Sequence, residues 1–305
     1  MDVTRAEFLK LAAGAAALVA APRGASAADA PLLKRKIPKS GEEIPVIGLG
    51  TAYEFSHAAD EAAFAARRDV IRALLDGGGA VIDTAPVYAQ AESIIGRALA
   101  DLKARPKTFI ASKISISGEE NGIDQFEGTL KDLRTDKVDL VQIHNLRDTD
   151  VHMKTLRGFK EQGRIRYTGV THYHAGGLAG LEAAMRKHPF DFIQINYSID
   201  AREAEKRVLP LAKDLGMAVL VNVPFGRGSV FRNARNKPLP AWAAEVGAES
   251  WGQFFLKFVL ATPGVTAAIP STTQPRHMAD NLGAGRGRLP DEAQKKRMLD
   301  YFEKL

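Results

Sequence analysis

Short apolar runs alternate with amphipathic stretches along the chain from Leu32 onward. An apolar run bounded by polar or turn-forming residues predicts a strand, and apolar residues at helical spacing predict a helix. Eight such strand–helix units in about 250 residues are typical of an α/β protein whose parallel strands close into a (β/α)8 TIM barrel. The predicted strands are 46–50, 80–83, 108–113, 138–144, 165–171, 192–196, 217–223 and 265–269. The predicted helices are 59–75, 92–102, 126–133, 151–161, 178–186, 203–215 and 249–260.

Two further segments complete the predicted domain, which spans residues 32–305. Lys36-Ile37-Pro38 and Glu43-Ile44-Pro45 flank Ser40-Gly41, and this pattern predicts an N-terminal β-hairpin before the first barrel strand. The stretch 224–246 contains glycine and proline and is too long for an ordinary turn. We therefore interpret it as a functional loop.

The beginning of the chain has the composition of an export signal. Residues 11–21 are apolar, basic residues precede them, and Ala25-Ser26-Ala27 offers the small residues that signal peptidase requires. Residues 1–27 are therefore predicted to be a signal peptide, and the mature protein is expected to be periplasmic or otherwise exported. The stretch Thr4 to Lys10 resembles a twin-arginine signal, but Ala6 replaces the second arginine, so twin-arginine and general secretion both remain open. An uncleaved anchor is the alternative, although the apolar run is short for a membrane span.

Composition excludes several classes of function. The net charge of the 305 residues is +6, but lysine and arginine are scattered among acidic residues, which argues against nucleic-acid binding. A basic surface or a pocket for an anionic cofactor explains this charge equally well. Cysteine is absent, which excludes disulfides, thiolate metal sites and a cysteine nucleophile.

Four polar residues follow predicted strands in the first half of the chain: Asp83, Tyr88, Lys113 and His144. In a closed parallel barrel the carboxyl ends of all strands meet on one face, so these residues can converge. A phenol beside an ammonium, a carboxylate and an imidazole is a proton donor with an adjusted pKa. A dinucleotide-binding sheet would instead show G-x-G-x-x-G after its first strand, and the sequence Gly48-Leu49-Gly50-Thr51-Ala52-Tyr53 does not fit that motif.

With these residues in place, the chain resembles the aldo-keto reductase family from Lys36 to about Gly285. The matching segments are Ile47-Gly48-Leu49-Gly50-Thr51, Ile82-Asp83-Thr84-Ala85 with Tyr88, Ser112-Lys113, Ile143-His144 and Ile269-Pro270. The resemblance implies a barrel that reduces an aldehyde or ketone to an alcohol by hydride transfer from NAD(P)H. It also implies a small-molecule carbonyl substrate and a monomer. The scattered charges predict no nucleic-acid partner, and the lack of another apolar segment long enough to span a membrane predicts no membrane association after signal removal.

The resemblance also implies a role for each of the four residues. Tyr88 is the expected general acid, and Lys113 is expected to lower its pKa, since a free phenol near pKa 10 donates poorly at neutral pH. Asp83 is expected to hold Lys113 charged and in place, and His144 to orient the carbonyl oxygen. Tyr53 is expected to line the substrate pocket.

Further residues are expected to bind the cofactor, with NADP(H) favoured over NAD(H). Thr171-His172 stands where the family usually has Ser-Asn, Gln194 matches a glutamine that binds the nicotinamide carboxamide, and Asn222 replaces a stacking tyrosine. Ser271 and His277 replace a lysine and an arginine that are typical of NADP-preferring members, and Arg276 is expected to compensate. The expected cofactor residues are Thr51, Thr171, His172, Gln194, Phe225, Gly226, Arg227, Gly228, Ser271, Thr272, Thr273, Arg276, His277 and Asn281.

Two other functions remain as alternatives. His172 and His174 would face the same way at a strand end and, with His144, would suit a metal-dependent TIM-barrel hydrolase, although no acidic residue is spaced to complete the ligand set. The reductase hypothesis itself assigns no metal. The other alternative is a non-catalytic NADP-binding barrel that acts as a subunit. Turnover of an aldehyde with NADPH separates that alternative from a reductase.

Overall fold

The computed structural model describes residues 30–305, so the predicted signal peptide at 1–27 lies outside the described residues. An antiparallel hairpin precedes the barrel and consists of β1 (Lys34–Lys36) and β2 (Glu43–Pro45). Eight parallel strands follow and pair in sequence order. They are β3 (Leu49–Gly50), β4 (Val81–Asp83), β5 (Phe109–Ile114), β6 (Leu140–His144), β7 (Tyr167–His172), β8 (Phe192–Asn196), β9 (Ala218–Asn222) and β10 (Ala267–Ala268).

Helices alternate with these strands and surround the sheet. They are α1 (Glu61–Asp76), α2 (Ala91–Asp101), α3 (Glu119–Leu133), α4 (Thr149–Glu161), α5 (Leu178–Lys187), α6 (Val208–Asp214), α7 (Ser229–Asn233), α8 (Trp251–Leu260), α9 (Pro275–Ala284) and α10 (Glu292–Phe302). The amphipathic pattern explains this arrangement for most of the helices, because they bury an apolar face and expose a polar one. The exception is α8, which is buried along almost its whole length.

The barrel closes where the first strand segment meets the last. The Ala268 amide donates to the Val46 carbonyl at 2.9 Å, and the Gly48 amide donates back to the Ala268 carbonyl at 2.9 Å. A Cβ atom on Gly50 would lie 2.6 Å from the carbonyl oxygen of Ile269, so only glycine allows this close approach. The predicted (β/α)8 barrel with an N-terminal hairpin is confirmed.

The hairpin covers the amino-terminal end of the barrel. Ile37 and Ile44 are buried there against side chains from the beginnings of the strands, including Phe109 and Phe192. Arg166 reinforces this contact through a hydrogen bond of 2.6 Å from Nη1 to the Glu42 carboxylate of the hairpin. The opposite, carboxyl end of the barrel is therefore the end at which a functional site can be open.

The observed helices and strands differ from the predicted ones at their ends and in the last third of the chain. The predicted helix 203–215 is two elements, a 3-10 turn at Glu203–Lys206 and α6, because Arg207 leaves helical geometry with φ −141° and ψ −46°. The predicted loop 224–246 contains α7 and a 3-10 turn at Ala241–Val246. Strand–helix alternation did not predict α9 and α10 after the last strand; α9 packs against α1 and α8.

Candidate active site

A buried ion pair lies at the centre of the carboxyl end of the barrel. Asp83 ends β4 and Lys113 lies near the end of β5, and the Nζ of Lys113 is 2.7 Å from Oδ2 of Asp83. The same Nζ donates to the Thr84 carbonyl at 2.7 Å. Burial alone would lower the pKa of Lys113, but Asp83 and Tyr88 together outweigh burial and raise that pKa above its ordinary value. Lys113 is therefore a fixed positive charge inside the barrel.

The other carboxylate oxygen of Asp83 accepts two amide hydrogen bonds. Gln142 donates to Oδ1 at 3.2 Å and Gln194 donates to it at 2.6 Å. The sequence analysis did not single out Gln142, although it precedes His144 by two residues on β6, and strand periodicity places both side chains on the inner face. The two-residue period of side chains along a strand was therefore the signal that could have identified Gln142 from the sequence.

Gln194 is already engaged by protein groups in this structure. Its Nε2 bonds Asp83, while its Oε1 accepts hydrogen bonds from Thr171 Oγ1 at 3.2 Å and Asn222 Nδ2 at 3.3 Å. The structure thus brings Thr171, Gln194 and Asn222 together, as neighbours in one polar layer. Whether Gln194 also contacts a nicotinamide stays a prediction.

Tyr88 lies partly buried beside the ion pair and His144. The Lys113 Nζ is 5.0 Å from the centre of the Tyr88 ring, and the Tyr88 and His144 rings lie 6.1 Å apart, edge to face. The four residues selected from strand ends therefore converge. Their catalytic roles remain predictions.

Lys113 acts on the pKa of Tyr88 in the predicted, lowering direction, but the net direction of the shift is upward. Burial raises the pKa of Tyr88 above its ordinary value, and the positive charge of Lys113, which acts in the expected lowering direction, does not offset it. Burial depth is a property of the folded loop and could not be obtained from the strand-end pattern. The raised pKa keeps the phenol protonated at neutral pH.

His144 is held in its neutral form. Burial and then the positive charges of Lys113 and Arg147 lower the pKa of His144 to about 3. Its Nδ1 lies 2.6 Å from the hydroxyl oxygen of Ser115, the residue that follows β5. A neutral imidazole has one donor nitrogen and one acceptor nitrogen. The ring can therefore offer a single N–H to a neighbouring oxygen.

Glu92 is a buried acid that the sequence analysis also missed. It lies on α2 and accepts hydrogen bonds from Ser112 Oγ at 2.6 Å and Thr129 Oγ1 at 3.0 Å. Burial raises the pKa of Glu92 to about 7. An acidic residue near the N-terminus of a helix is normally exposed. The burial of Glu92 could therefore be inferred only from the packing of α2 on β5 and α3.

Three of the expected cofactor residues lie in a loop of unusual backbone geometry. Gly226, Arg227 and Gly228 have φ values of 54°, 53° and 87°, three consecutive left-handed residues after β9. The Arg227 guanidinium lies 5.9 Å from the Tyr53 ring centre and 5.3 Å from the Tyr173 ring centre. Cation–π contacts thus connect this loop with those after β3 and β7.

The remaining expected cofactor residues surround the same end of the barrel. Thr51 is buried and its Oγ1 donates to the Asp83 carbonyl at 2.8 Å. Arg276, in the first turn of α9, donates from Nε to Gln274 at 2.8 Å, and His277 lies at 3.5 Å from Thr272 Oγ1. The residues positioned here by the ends of β3, β7, β9 and β10 and by α9 are Thr51, His172, Phe225, Ser271, Thr272, Thr273, Arg276, His277 and Asn281.

Three buried polar atoms at the ends of β8 and β9 and just after β10 have no hydrogen-bond partner within residues 30–305. They are Oδ1 of Asn196, Oδ1 of Asn222 and Oγ of Ser271. Asn196 and Asn222 end β8 and β9, and Ser271 follows β10. Unpaired buried polar atoms are costly, so this edge fits a ligand rich in hydrogen-bonding groups, as a dinucleotide is.

The rim of the site is apolar. Tyr53 is 74% exposed, and the other exposed apolar side chains of the rim belong to loops after β4, β5 and β7 and to α7. They are Val87, Ile116, Tyr173 and Phe231. A rim with such apolar side chains suits an organic substrate.

The proposed metal site is not favoured. The His172 and His174 rings lie 4.4 Å apart, but the described part of the chain contains no group of three or more histidine or acidic side chains that could hold a metal ion. From residue 30 onward, no helix combines the length and apolar character needed to cross a membrane.

Comparison with known proteins agrees with this geometry. The sequence model of the aldo/keto reductase family matches residues 46–297. The chain is 31% identical to aldo-keto reductase YhdN of Bacillus subtilis over 175 residues, which are 52% of each protein. It is 29% identical to methylglyoxal reductase YeaE of Escherichia coli over 259 residues, which cover 81% of this chain and 88% of YeaE.

A solved structure is similar over almost the whole barrel. An aldo-keto reductase from Klebsiella pneumoniae in complex with NADPH superimposes with a TM-score of 0.73 and 25% identity, covering 88% of this chain and 96% of that one. Because the family match extends from the first barrel strand into the last helix, the chain belongs to the aldo/keto reductase family.

Proposed function

We propose that the protein reduces a small aldehyde or ketone to the corresponding alcohol with NADPH. The observation that carries this proposal is the convergence of Tyr88, Lys113, Asp83 and His144 at the carboxyl end of the barrel. The names of YhdN and YeaE as reductases support a carbonyl as substrate.

Each residue performs a defined part of the reaction. A nicotinamide cofactor held at this end of the barrel would supply the hydride that forms the new C–H bond. Neutral His144 donates a hydrogen bond to the carbonyl oxygen and orients it. Tyr88 gives its phenolic proton to that oxygen as negative charge develops there, and the resulting phenolate lies beside the Lys113 ammonium. Asp83 keeps this ammonium charged and in position.

NADP(H) is the proposed cofactor, with contacts at the carboxyl ends of β7 to β10. The unpaired atoms of Asn196, Asn222 and Ser271 are suitable partners for its amide, sugar and phosphate groups. Arg227 and Arg276 provide positive charge for its phosphates. The NADPH complex of the Klebsiella protein supports this choice.

Consumption of NADPH with a panel of small aldehydes and ketones tests the function. The reductase proposal expects turnover that is lost in Tyr88→Phe. Cofactor binding without turnover of any carbonyl would instead favour the alternative of a non-catalytic NADP-binding subunit. Thermal shifts with NADPH and NADH test the cofactor preference, because a ligand stabilises the folded protein according to its affinity.

We further propose that residues 1–27 are removed and that the mature chain, beginning at Ala28, acts as a monomer outside the cytoplasm. The apolar run and the Ala25-Ser26-Ala27 site support cleavage. An exported reductase needs its dinucleotide loaded before transport, which requires a route for folded proteins. Cell fractionation with N-terminal sequencing tests export, and mass analysis of periplasmic material tests the bound dinucleotide and the subunit number. A cytoplasmic protein with Met1 intact would exclude export without affecting the chemistry.

A further inference from the structure

Ser115 is placed to control the hydrogen-bonding state of His144. It is the first residue after β5, and its Oγ lies 2.6 Å from Nδ1 of His144, the last residue of β6. We propose that Ser115 is a positioning residue for His144, and this proposal rests on the proposed function. Its hydroxyl donates to Nδ1 of His144 and so leaves Nε2 as the protonated nitrogen that faces the carbonyl oxygen.

Counting protons favours one direction for this hydrogen bond. The Ser115 hydroxyl carries one proton, and its Oγ has no other hydrogen-bond partner among the described residues. If Nδ1 of His144 donated to Oγ, the serine proton would have no protein acceptor. A hydroxyl that donates to Nδ1 satisfies both groups, and a neutral imidazole then carries its hydrogen on Nε2.

The choice between the two tautomers of His144 matters because the ring is neutral. The low pKa of His144, caused by burial and by nearby positive charge, excludes the doubly protonated form at neutral pH. Only one of the two nitrogens can then donate. The tautomer decides whether His144 offers the substrate a hydrogen or a lone pair, and a carbonyl oxygen needs the hydrogen.

The loop that carries Ser115 is fixed by side chains from two helices. The Ser115 amide donates to Gln125 Oε1 on α3 at 2.6 Å, and His152 Nε2 on α4 donates to the Ile116 carbonyl at 2.5 Å. The Gly118 amide donates to Asp148 Oδ2 at 2.8 Å. The hydroxyl is thus held in place before substrate binds, as a preorganised site requires.

Histidine NMR on the full-length enzyme tests the tautomer directly. The chemical shifts of the two ring nitrogens in ¹⁵N-labelled protein at neutral pH distinguish an acceptor Nδ1 from a protonated one, and His144→Gln identifies the resonance. We expect His144 of the wild type to have an unprotonated Nδ1 and a protonated Nε2. Ser115→Ala is expected to give a mixture of both tautomers. Ser115→Thr, which keeps a hydroxyl, is expected to match the wild type.

Kinetics provide the second readout, with Ser117→Ala as the matched control because Ser117 is exposed on the same loop. Losing one neutral hydrogen bond should lower kcat of Ser115→Ala by about 3- to 10-fold while KM and NADPH affinity change less than about two-fold. Ser115→Thr and Ser117→Ala should stay near wild type.

A protonated Nδ1 in the wild type would overturn the proposal, as would an unchanged tautomer in Ser115→Ala or a Ser115→Thr variant that behaves like alanine. The two proposals can fail separately. A wild-type enzyme that reduces no carbonyl contradicts the proposed function, whereas the ring nitrogen shifts decide the role of Ser115 without any turnover.

Discussion

Asp83 and Lys113 form an ion pair that the barrel encloses almost completely, with side chains 4% and 0% exposed and 2.7 Å between Oδ2 and Nζ. Burying two charges is costly unless further hydrogen bonds satisfy them. Here the Thr84 carbonyl accepts from Lys113, and Gln142 and Gln194 donate to Asp83. We infer that the pair serves to place a positive charge beside Tyr88 rather than to stabilise the fold.

Replacing Tyr88 with phenylalanine should abolish carbonyl reduction while keeping the fold. The hydroxyl is the proposed proton donor and the ring volume is retained, so the rate should fall by about 10²–10⁴-fold. Steady-state kinetics with several carbonyl substrates measure this loss, and NADPH affinity should stay within a few-fold. Tyr173→Phe is the matched control, since Tyr173 lies exposed on the rim. Near wild-type rates in Tyr88→Phe would exclude the assignment.

Replacing Lys113 with methionine should change the pH dependence of the reverse reaction. Alcohol oxidation needs Tyr88 as phenolate, and the charge of Lys113 lowers the pKa of Tyr88 against the larger effect of burial. Removing this charge raises that pKa further, so the alkaline limb of the oxidation rate should move to higher pH. The pH–rate profile measures the shift, and Tyr88→Phe should lack the limb altogether. An unmoved limb in Lys113→Met would restrict Lys113 to a structural role.

Replacing Arg276 with alanine should weaken NADPH binding selectively. A lost charge-assisted hydrogen bond to a phosphate costs about 1.5–3 kcal/mol, which is at least about ten-fold in affinity. NADH lacks the 2′-phosphate, so its affinity should change less than about two-fold. Fluorescence titration with both cofactors measures the ratio, and Arg288→Ala serves as an exposed control. Equal losses for NADPH and NADH would contradict a specific role for Arg276.

Replacing Glu92 with glutamine should change stability in a pH-dependent way. Burial raises the pKa of Glu92 from 4.5 to about 7, so the protonated acid stabilises the fold below about pH 4.5, and this contribution is lost as pH rises through about 7. Glutamine is neutral throughout. Relative to wild type, Glu92→Gln should therefore gain up to about 3 kcal/mol of unfolding free energy between pH 4.5 and pH 8.

Urea denaturation of both proteins at several pH values measures this gain. Glu120→Gln is the matched control, because Glu120 is exposed in the first turn of α3. Parallel stability curves for Glu92→Gln and wild type would show that the pKa of Glu92 is the same in the folded and the unfolded protein.

The sequence was sufficient for the barrel and for the residues at strand ends. Asp83, Lys113 and His144 could be predicted because a parallel barrel brings the ends of its strands to one face whatever the intervening loops do. Ser115 and Glu92 could not, because their contacts depend on a loop conformation and on the packing of one helix. The pKa of Tyr88 was missed for the same reason, since the balance between burial and the charge of Lys113 is set by depth within the loop.

The seam between Gly48 and Ala268 has a consequence for the order of folding. Every other pair of neighbouring barrel strands joins segments close in sequence, whereas the seam joins the two ends of the barrel sequence. Closing such a long loop is entropically the most expensive pairing, so we expect an open sheet to form first and the seam to form last. During synthesis the polar layer around Asp83 would then stay accessible to water until β10 has left the ribosome.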